Sequence, residues 1–349
     1  MSFKKKINIF RLFLMESLTK GLGNAEYEPS IKPGEHVEIK RILISRPNHR
    51  LGNLLLIAPL LQEINDMLPE CEIDLFIKGD LAPILFKDYT INSIIKLPKK
   101  HFNELFKYIY GWVSIRKEHY DLVINIDENS SSGKLSTQLA RAKYKIFGVA
   151  TNNGEFEYED YIHIAKKPVY DFRRYLVKLG FSIDMSKTIP SLDIKLSPEE
   201  KLKGLNLLKN IVKNDKNTIS IFTFATGNKC YSKSWWKGIY EKLKEHYQNY
   251  NIIEFLPIEN VSQIDFEAPT YYGNDVREIA ALISNTKVFI GADSGIMHLS
   301  SSSGAPTVGL FSVTNRKKYE PYGNNSSALN TDMMEFNDLK KAIDNALNT

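Results

Sequence analysis

Short apolar runs of strand length alternate along this chain with longer segments whose apolar residues recur at helical spacing. In the first half, the pattern predicts a helix in LLLIAPLLQEINDML and strands in IKRILISRP, EIDLFIKG, YDLVINID and RAKYKIFGV. In the second half, it predicts strands in TISIFTFAT and NIIEFLPI and helices in SWWKGIYEKLKEHY and DVREIAALISN. This alternation is typical of parallel sheets covered by helices on both faces. We therefore predict an α/β protein.

A polar segment, residues 184–204, separates the two alternating sets. A helix is predicted to begin within it, with Pro198 at the first helical position, where the missing N–H would be unpaired in any residue. We place a domain linker in this segment. The prediction is two Rossmann-like domains with parallel sheets, residues 40–187 and 188–349, the second ending in a C-terminal helix, preceded by a separate segment of residues 1–39.

The stretch VFIGADSGIMHLSSSSGAPTVGLF carries the clearest local pattern. It predicts a buried strand from Val288 to Ile290, a helix from Ile296 to Ser303 and a second strand from Pro306 to Phe311, with Gly304 ending the helix. This order is a βαβ unit. In open parallel sheets, ligands bind at the carboxyl ends of the strands, which is where the polar residues of this stretch lie.

Asp293, Ser294 and Gly295 stand between the first strand and the helix. The first turn of a helix carries unpaired N–H groups and a partial positive charge, and a glycine lets an anion approach that backbone closely. The turn therefore suits a phosphate group. The alternative is purely structural, with Ser294 as the residue that caps the helix and Gly295 as a turn residue.

Composition narrows the class of protein only moderately. The chain has 349 residues, 43% of them hydrophobic, and 46 lysines and arginines against 41 acids, a net charge of +5. This mild excess suits an anionic small ligand and does not by itself indicate nucleic acid. Cys71 and Cys230 are far apart and form no zinc or disulfide motif, so we expect a reducing cytoplasm. No apolar run reaches the length of about 20 residues that a membrane helix needs.

The first 24 residues mix lysines and an arginine with apolar residues at helical spacing, among them Lys4, Arg11, Phe3, Ile7 and Phe10. The apolar core is too interrupted for a secretory signal. One interpretation is a basic amphipathic helix that lies on an anionic membrane surface, at the inner face of the cytoplasmic membrane. The other is a helix that packs on the protein's own body.

The segment FIGADSGIMHLSSSSGAPTVGLFSVTNRKKYEPYG resembles glycosyltransferase family nine, the family of the lipopolysaccharide heptosyltransferases. The resemblance covers about residues 40–345 and implies the GT-B fold, in which two Rossmann-like domains face each other. It also implies that this segment lies beside the diphosphate of the donor. Asp293 is expected to hold the loop by accepting backbone N–H groups, because a carboxylate aimed at a diphosphate would repel it. The alternatives are a bond from Asp293 to a sugar hydroxyl and, for His298, either a place at the donor or a structural role.

Two further stretches carry the expected donor site. TFATGNKCYSKSWW resembles the family's loop that precedes K-x-W, and Lys233 is in the matching place for the donor phosphate. Thr226 and Gly227 would offer a hydroxyl and an N–H group to the same anion. In LPIENVSQI, Glu259 loosely fits the family's acid that meets the nucleotide ribose.

The stretch RILISRPNHRLGNLLLIAPLLQEI resembles the family's first strand and L-G-D loop, with one departure. Asn53 is where the family has the aspartate regarded as the catalytic base, and an amide accepts no proton at neutral pH. His49 in the same loop is our first candidate for the base, since an ordinary histidine has a pKa of about 6.5. Asp127, after the strand in YDLVINID, is the second.

The resemblance implies an inverting, metal-independent glycosyltransferase. Its donor would be a nucleotide-diphosphate sugar, with ADP-heptose suggested by the family, bound mainly by the C-terminal domain. Its acceptor would be a lipopolysaccharide-type or other cell-surface glycan, bound by the N-terminal domain. No G-x-G-x-x-G follows a strand and no D-x-D or histidine cluster is present, so we expect no nicotinamide cofactor and no metal. Two alternatives stay open: a non-catalytic nucleotide-sugar or glycan-binding protein that lost its base, and an epimerase acting on a nucleotide sugar.

Overall fold

The computed structural model describes residues 37–100, 103–148 and 158–348. Residues 1–24, for which membrane binding and packing on the protein's own body are the two interpretations, lie outside the described residues. Within these ranges, every helix is too short or too polar to cross a bilayer. The chain forms two compact units. The first contains the described residues of 1–49, 59–83 and 89–190, and the second those of 50–58, 84–88 and 191–349.

Strands and helices alternate through both units. The strands are β1 (Arg41–Arg46), β2 (Glu72–Lys78), β3 (Ser93–Leu97), β4 (His119–Asn125), β5 (Arg141–Ile146), β6 (Thr218–Phe222), β7 (Asn251–Phe255), β8 (Thr270–Tyr271), β9 (Val288–Ala292), β10 (Thr307–Phe311) and β11 (Ser327–Asn330). The helices are α1 (Leu51–Leu55), α2 (Ala58–Met67), α3 (Ala82–Leu85), α4 (Leu105–Ser114), α5 (Ser131–Leu139), α6 (Lys167–Lys178), α7 (Pro198–Val212), α8 (Lys233–His246), α9 (Val276–Ile283), α10 (Gly295–Ser302), α11 (Arg316–Tyr319) and α12 (Phe336–Leu347).

Each unit is built on one parallel sheet, which confirms the predicted α/β class. The first sheet has the order β3-β2-β1-β4-β5 and the second the order β11-β10-β9-β6-β7-β8. All strand pairs in both sheets are parallel. The chain order reverses between β1 and β4 in the first sheet and between β6 and β9 in the second. In open α/β sheets this reversal opens a crevice at the carboxyl ends of the strands, where ligands bind.

Local sequence accounts for most element bounds. Pro198 is the first residue of α7, as predicted, and Ser197 caps this helix through the reciprocal bonds with Glu200 that a capping box makes. The βαβ unit of residues 288–311 is also confirmed, with each bound within two residues of the prediction. Gly304 follows α10 with φ of +89°, the left-handed conformation that favours glycine.

The helix predicted in LLLIAPLLQEINDML is confirmed for Ala58–Met67, but the first residues of the stretch belong to a separate helix. The structure has two helices, α1 and α2, separated by Leu56 and Ile57. The N–H of Ile57 donates to the carbonyl of Leu54, a tighter turn than an α-helix makes. Pro59, in the first turn of α2, has no N–H to continue the ladder of α1. The break matters because α1 is part of the second unit.

In the second unit, α7 and α9 approach each other closely at Gly204. A Cβ atom at this position would lie 2.2 Å from the carbonyl oxygen of Ala281. Because a real Cβ is never found that close to a backbone oxygen, only glycine allows this packing. The strands β6, β9 and β10 are buried along their whole length, so the residues that follow their carboxyl ends are attached to a well-packed sheet.

Candidate functional site

Asp293 is at the centre of a polar cluster where the order of the second sheet reverses. It follows β9, and its side chain is only 6% exposed. Lys229, at the end of a 3-10 turn (Gly227–Lys229) in the loop after β6, places Nζ 2.5 Å from Asp293 Oδ2. Thr314 Oγ1 donates to the same oxygen at 2.7 Å. The carboxylate therefore joins two loops through side chains, rather than through the backbone N–H groups that were expected.

Ser294 and Gly295 form the start of α10. Ser294 is the N-cap, and its Oγ accepts the N–H of Met297 at 3.3 Å. A Cβ atom on Gly295 would lie 3.2 Å from the Cβ of Leu51 and 3.3 Å from the backbone nitrogen of Gly52. The glycine therefore has a packing role, because it allows the start of α10 to contact α1.

His298 is buried beneath this turn. Its Nε2 lies 3.9 Å from Asp293 Oδ1, and a Cβ on Gly52 would lie 2.8 Å from its Cδ2. Burial lowers the pKa of His298 to about 4, although the Asp293 carboxylate acts in the opposite direction. The imidazole is therefore neutral at neutral pH. Lys229 is consequently the cation that balances Asp293.

Lys233 has a different partner from the one that its expected role required. It is the first residue of α8, its side chain is 59% exposed, and its Nζ lies 2.5 Å from Asp265 Oδ1. Hydrogen bonds from Lys233 and Lys237 lower the pKa of Asp265 to about 2. Of the two lysines in the loop after β6 and the helix start that follows, Lys229 is the one in contact with Asp293.

The other donor-side candidates are exposed. Thr226 precedes the 3-10 turn, and Gly227 has φ of +64°. Glu259 is exposed in the loop after β7. The buried carboxyl of this region is Glu254, which accepts hydrogen bonds from Thr223 at 2.5 Å and from Ser262 at 2.7 Å, while its burial raises its pKa.

In the first unit, a second polar pair lies where the sheet order reverses. Arg46 ends β1 and is 3% exposed, and its Nη1 is 2.5 Å from Oδ2 of Asp127, which follows β4. The other oxygen of Asp127 accepts the N–H of Asn129 at 3.0 Å. Arg46 Nε is buried without a hydrogen-bond partner among the described residues. Asp127 therefore serves first as the counter-ion of a buried arginine.

His49 and Asn53, four residues apart, belong to different units. His49 is exposed at the end of the loop that leaves β1. Asn53 is half-buried in α1, the short helix that packs on α10. No contact in the structure tests a catalytic role for either residue, so these roles stay predictions.

Comparison with known proteins relates the chain to one family. A sequence model of glycosyltransferase family 9 (heptosyltransferase) matches residues 274–345, the region that contains Asp293 and α10. Lipopolysaccharide heptosyltransferase 3 of Escherichia coli is 23% identical over 296 residues, which cover 78% of this chain and 84% of that protein. The Escherichia coli heptosyltransferase WaaC with ADP matches with a TM-score of 0.63 at 15% identity, over 88% of this chain and 99% of that one. The chain is a glycosyltransferase that resembles family 9.

The fold of this glycosyltransferase is GT-B. A family 9 glycosyltransferase from Veillonella parvula matches with a TM-score of 0.66 at 19% identity, covering 89% of this chain and 91% of that one. At such low identity, the likeness to these structures supports the fold, while the roles of single residues have to be argued from the site itself.

Three residues of the candidate site were missed by the sequence analysis. Lys229 lies only four positions before Lys233, and the likeness to K-x-W directed attention to the latter. Thr314 lies in a loop with no pattern of its own. Arg46 did give a signal, because it is a charged residue at the end of an apolar strand, where it needs a buried counter-ion.

Proposed function

We propose that this glycosyltransferase moves a sugar from a nucleotide-diphosphate sugar to a hydroxyl group of a lipopolysaccharide-type or other cell-surface glycan, with inversion and without a metal ion. The observation that carries the proposal is the cluster of Lys229, Asp293 and Thr314 beside the start of α10. The related WaaC structures with ADP and with ADP-2-deoxy-2-fluoro heptose support ADP-heptose as the donor.

In this proposal the second unit binds the donor. The side chain of Lys229 is 35% exposed, so its ammonium group can contact a phosphate oxygen while it stays near Asp293. The exposed Lys233 would supply a second positive charge if the diphosphate competes with Asp265 for it. Because phosphate-oxygen charge grows as the sugar leaves, lysine ammonium groups and oriented N–H groups stabilise the transition state more than the ground state.

The first unit would bind the acceptor, with His49 as the base. One carboxylate oxygen of Asp127 is occupied by Arg46 and the other accepts a backbone N–H, which favours the exposed His49. The imidazole would take the proton of the acceptor hydroxyl as its oxygen bonds to the anomeric carbon. The bond from that carbon to the diphosphate oxygen breaks at the same time, which inverts the configuration.

Transfer kinetics of the His49→Ala variant test this role. Removing a positioned base typically slows turnover by about a hundred- to ten-thousand-fold, with donor affinity unchanged. Asn53→Ala should have a smaller effect. His119→Ala is the matched control, because His119 is an exposed histidine of the same unit at the opposite end of the sheet, where β4 begins. The wild-type rate should rise with pH through the ionisation of the histidine, and His49→Ala should lose this rise. Wild-type turnover of His49→Ala would refute the assignment.

A second candidate is a binding protein that kept the donor site and lost catalysis. Asn53 favours it, since an amide stands where the family has an aspartate, and Asp127, the second candidate for the base, is engaged with Arg46. Calorimetry with ADP and ADP-heptose, combined with product analysis, separates the two candidates. Donor binding without transfer, followed by a gain of transfer in Asn53→Asp, would establish the binding protein and overturn the enzyme proposal.

A further inference from the structure

The outward face of α4 is apolar and open to solvent. Its side chains are Leu105, Phe106, Ile109, Tyr110 and Val113, with exposed fractions of 55%, 90%, 50%, 61% and 53%. These positions recur at intervals of three and four residues, so they share one side of the helix. A contiguous apolar surface of this kind indicates an interaction site.

The inward face of the same helix is apolar as well. Trp112 packs edge-on against Phe76 of the first sheet with 5.3 Å between ring centroids, and Ile115 just after the helix is fully buried. Tyr108 and Trp112 extend the hydrophobic core beneath the helix. The helix therefore has two apolar faces, while Lys107, Gly111 and Ser114 line the groove on a third side. The core covers the inward apolar face, whereas the outward apolar face is exposed.

Positive charge surrounds this face. The described residues from 96 to 118 include six lysines and arginines and two glutamates. Lys107 lies on α4 next to its exposed apolar residues, and the Nζ of Lys117 lies 4.3 Å from the centre of the Tyr110 ring. Lys96 is paired with Asp80 and Lys107 with Glu104. A groove of about 790 Å³ beside the helix is lined by four acids (Asp74, Asp80, Glu104 and Glu118), by Arg41 and by five lysines. The five lysines are Lys96, Lys99, Lys100, Lys107 and Lys117.

We propose that the outward face of α4 docks on an anionic membrane, with its apolar side chains among the lipid head groups and its lysines on the lipid phosphates. Apolar side chains bordered by lysines are the composition of helices that lie in membrane interfaces. Each lysine near an anionic membrane surface contributes about 1 kcal/mol of attraction.

Charge distinguishes the membrane from other occupants of this face. Residues 1–24 of the chain contain five lysines and arginines and one glutamate, so this segment would bring positive charge to a positive surface. A second copy of the chain would place two basic faces against each other. Both arrangements are opposed by like-charge repulsion, whereas an anionic bilayer is attracted.

Lys99, which lines the groove beside α4, lies near His49 at the end of the first sheet. A Cβ atom on Gly79 would be 2.7 Å from the Cε of Lys99 and 3.4 Å from the Cβ of His49, so both side chains border the same glycine. A membrane on α4 would therefore be near the proposed base. This last step rests on the proposed function, and it indicates an acceptor that is anchored in the membrane.

Sedimentation of the full chain with vesicles tests the proposal. The wild type should bind vesicles of phosphatidylglycerol and phosphatidylcholine, and bind pure phosphatidylcholine or high-salt samples much less. Phe106→Ser/Ile109→Ser should bind the anionic vesicles about tenfold more weakly, since two exposed apolar side chains are lost. Leu202→Ser/Met333→Ser is the matched control, because these two side chains are 58% and 84% exposed in the second unit.

Wild-type vesicle binding by the Phe106→Ser/Ile109→Ser protein, or a wild type that ignores anionic vesicles, would overturn the proposal. Analytical ultracentrifugation without lipid checks the second-copy alternative: a wild-type dimer that the double variant converts to monomer would also overturn it. Transfer to an acceptor in detergent is measured in parallel. If neither the wild type nor the variants transfer sugar, the proposed function fails. The vesicle result still shows whether α4 docks on the membrane.

Discussion

Replacing Asp293 by asparagine should destabilise the second unit by about 1–2 kcal/mol. The amide has nearly the same size and can still accept the Thr314 hydroxyl bond at 2.7 Å, but it loses the charge that attracts Lys229 at 2.5 Å. A hydrogen bond to a charged group contributes about 1.5–3 kcal/mol. Because Lys229 is 35% exposed, solvent screens part of this energy, and the amide also avoids the desolvation cost of a buried carboxylate.

Urea unfolding followed by tryptophan fluorescence measures this change. The chain has three tryptophans, of which Trp235 and Trp236 lie in α8 of the second unit, so a Trp112→Phe background restricts the signal to that unit. The midpoint should fall while the urea dependence stays the same. Asp265→Asn is the matched control, because Asp265 forms its ion pairs with exposed lysines and should leave the midpoint unchanged.

The same variant separates the two roles considered for Asp293. If the carboxylate only holds the two loops, its replacement removes a negative charge near the diphosphate, and calorimetry should find tighter ADP binding. Equal unfolding midpoints for Asp293→Asn and the wild type would refute the ion-pair reasoning. An unchanged affinity for ADP with a weaker affinity for ADP-heptose would instead assign Asp293 to a sugar hydroxyl.

Three further outcomes are expected. The pKa of His298 is lowered from 6.5 to about 4, so the unfolded state binds the proton at a higher pH than the folded state does. The free energy of unfolding should therefore fall by up to about 3 kcal/mol as the pH drops from 6.5 to 4. His298→Gln should make the free energy of unfolding less dependent on pH, as measured by urea unfolding at several pH values. Gly204→Ala should destabilise the second unit by about 1–3 kcal/mol through its backbone clash, whereas Gly238→Ala in α8, where a Cβ meets nothing within 4 Å, should stabilise it by about 0.5–1 kcal/mol; thermal unfolding that ranks them the other way contradicts the packing argument. Lys229→Ala and Lys233→Ala should each weaken ADP binding by about 1–3 kcal/mol in calorimetry, and unchanged affinity in both would exclude this lysine pair from the phosphate site.

The sequence by itself determined the α/β class and the place of the turn at residues 293–295, between β9 and α10. Periodicity is a local property, so the strands before and after α10 and the cap at Ser294 could be derived from adjacent residues. The start of α7 was equally local, because Ser197, Pro198 and Glu200 interact only within one helical turn. The family resemblance added the GT-B fold from the same short segments.

Only the tertiary structure decided which side chains meet. The sequence around Lys229 and Lys233 does not show which of the two lysines contacts Asp293. Lys229 pairs with Asp293 and Lys233 with Asp265, and both partners lie far along the chain. After the break before Pro59, α1 belongs to the second unit. This assignment follows from packing, and the local spacing of apolar residues does not predict it.

Helix α4 is a second case in which the sequence pattern does not show which side chains are buried. Apolar residues occupy two of its faces, so helical periodicity could not distinguish the face on Phe76 from the face that holds Phe106. That choice depends on the position of β3 and its neighbours in the first sheet. Burial is a property of the assembled layers, and for this helix the assembled sheet alone determines which apolar face is covered and which is left for a partner.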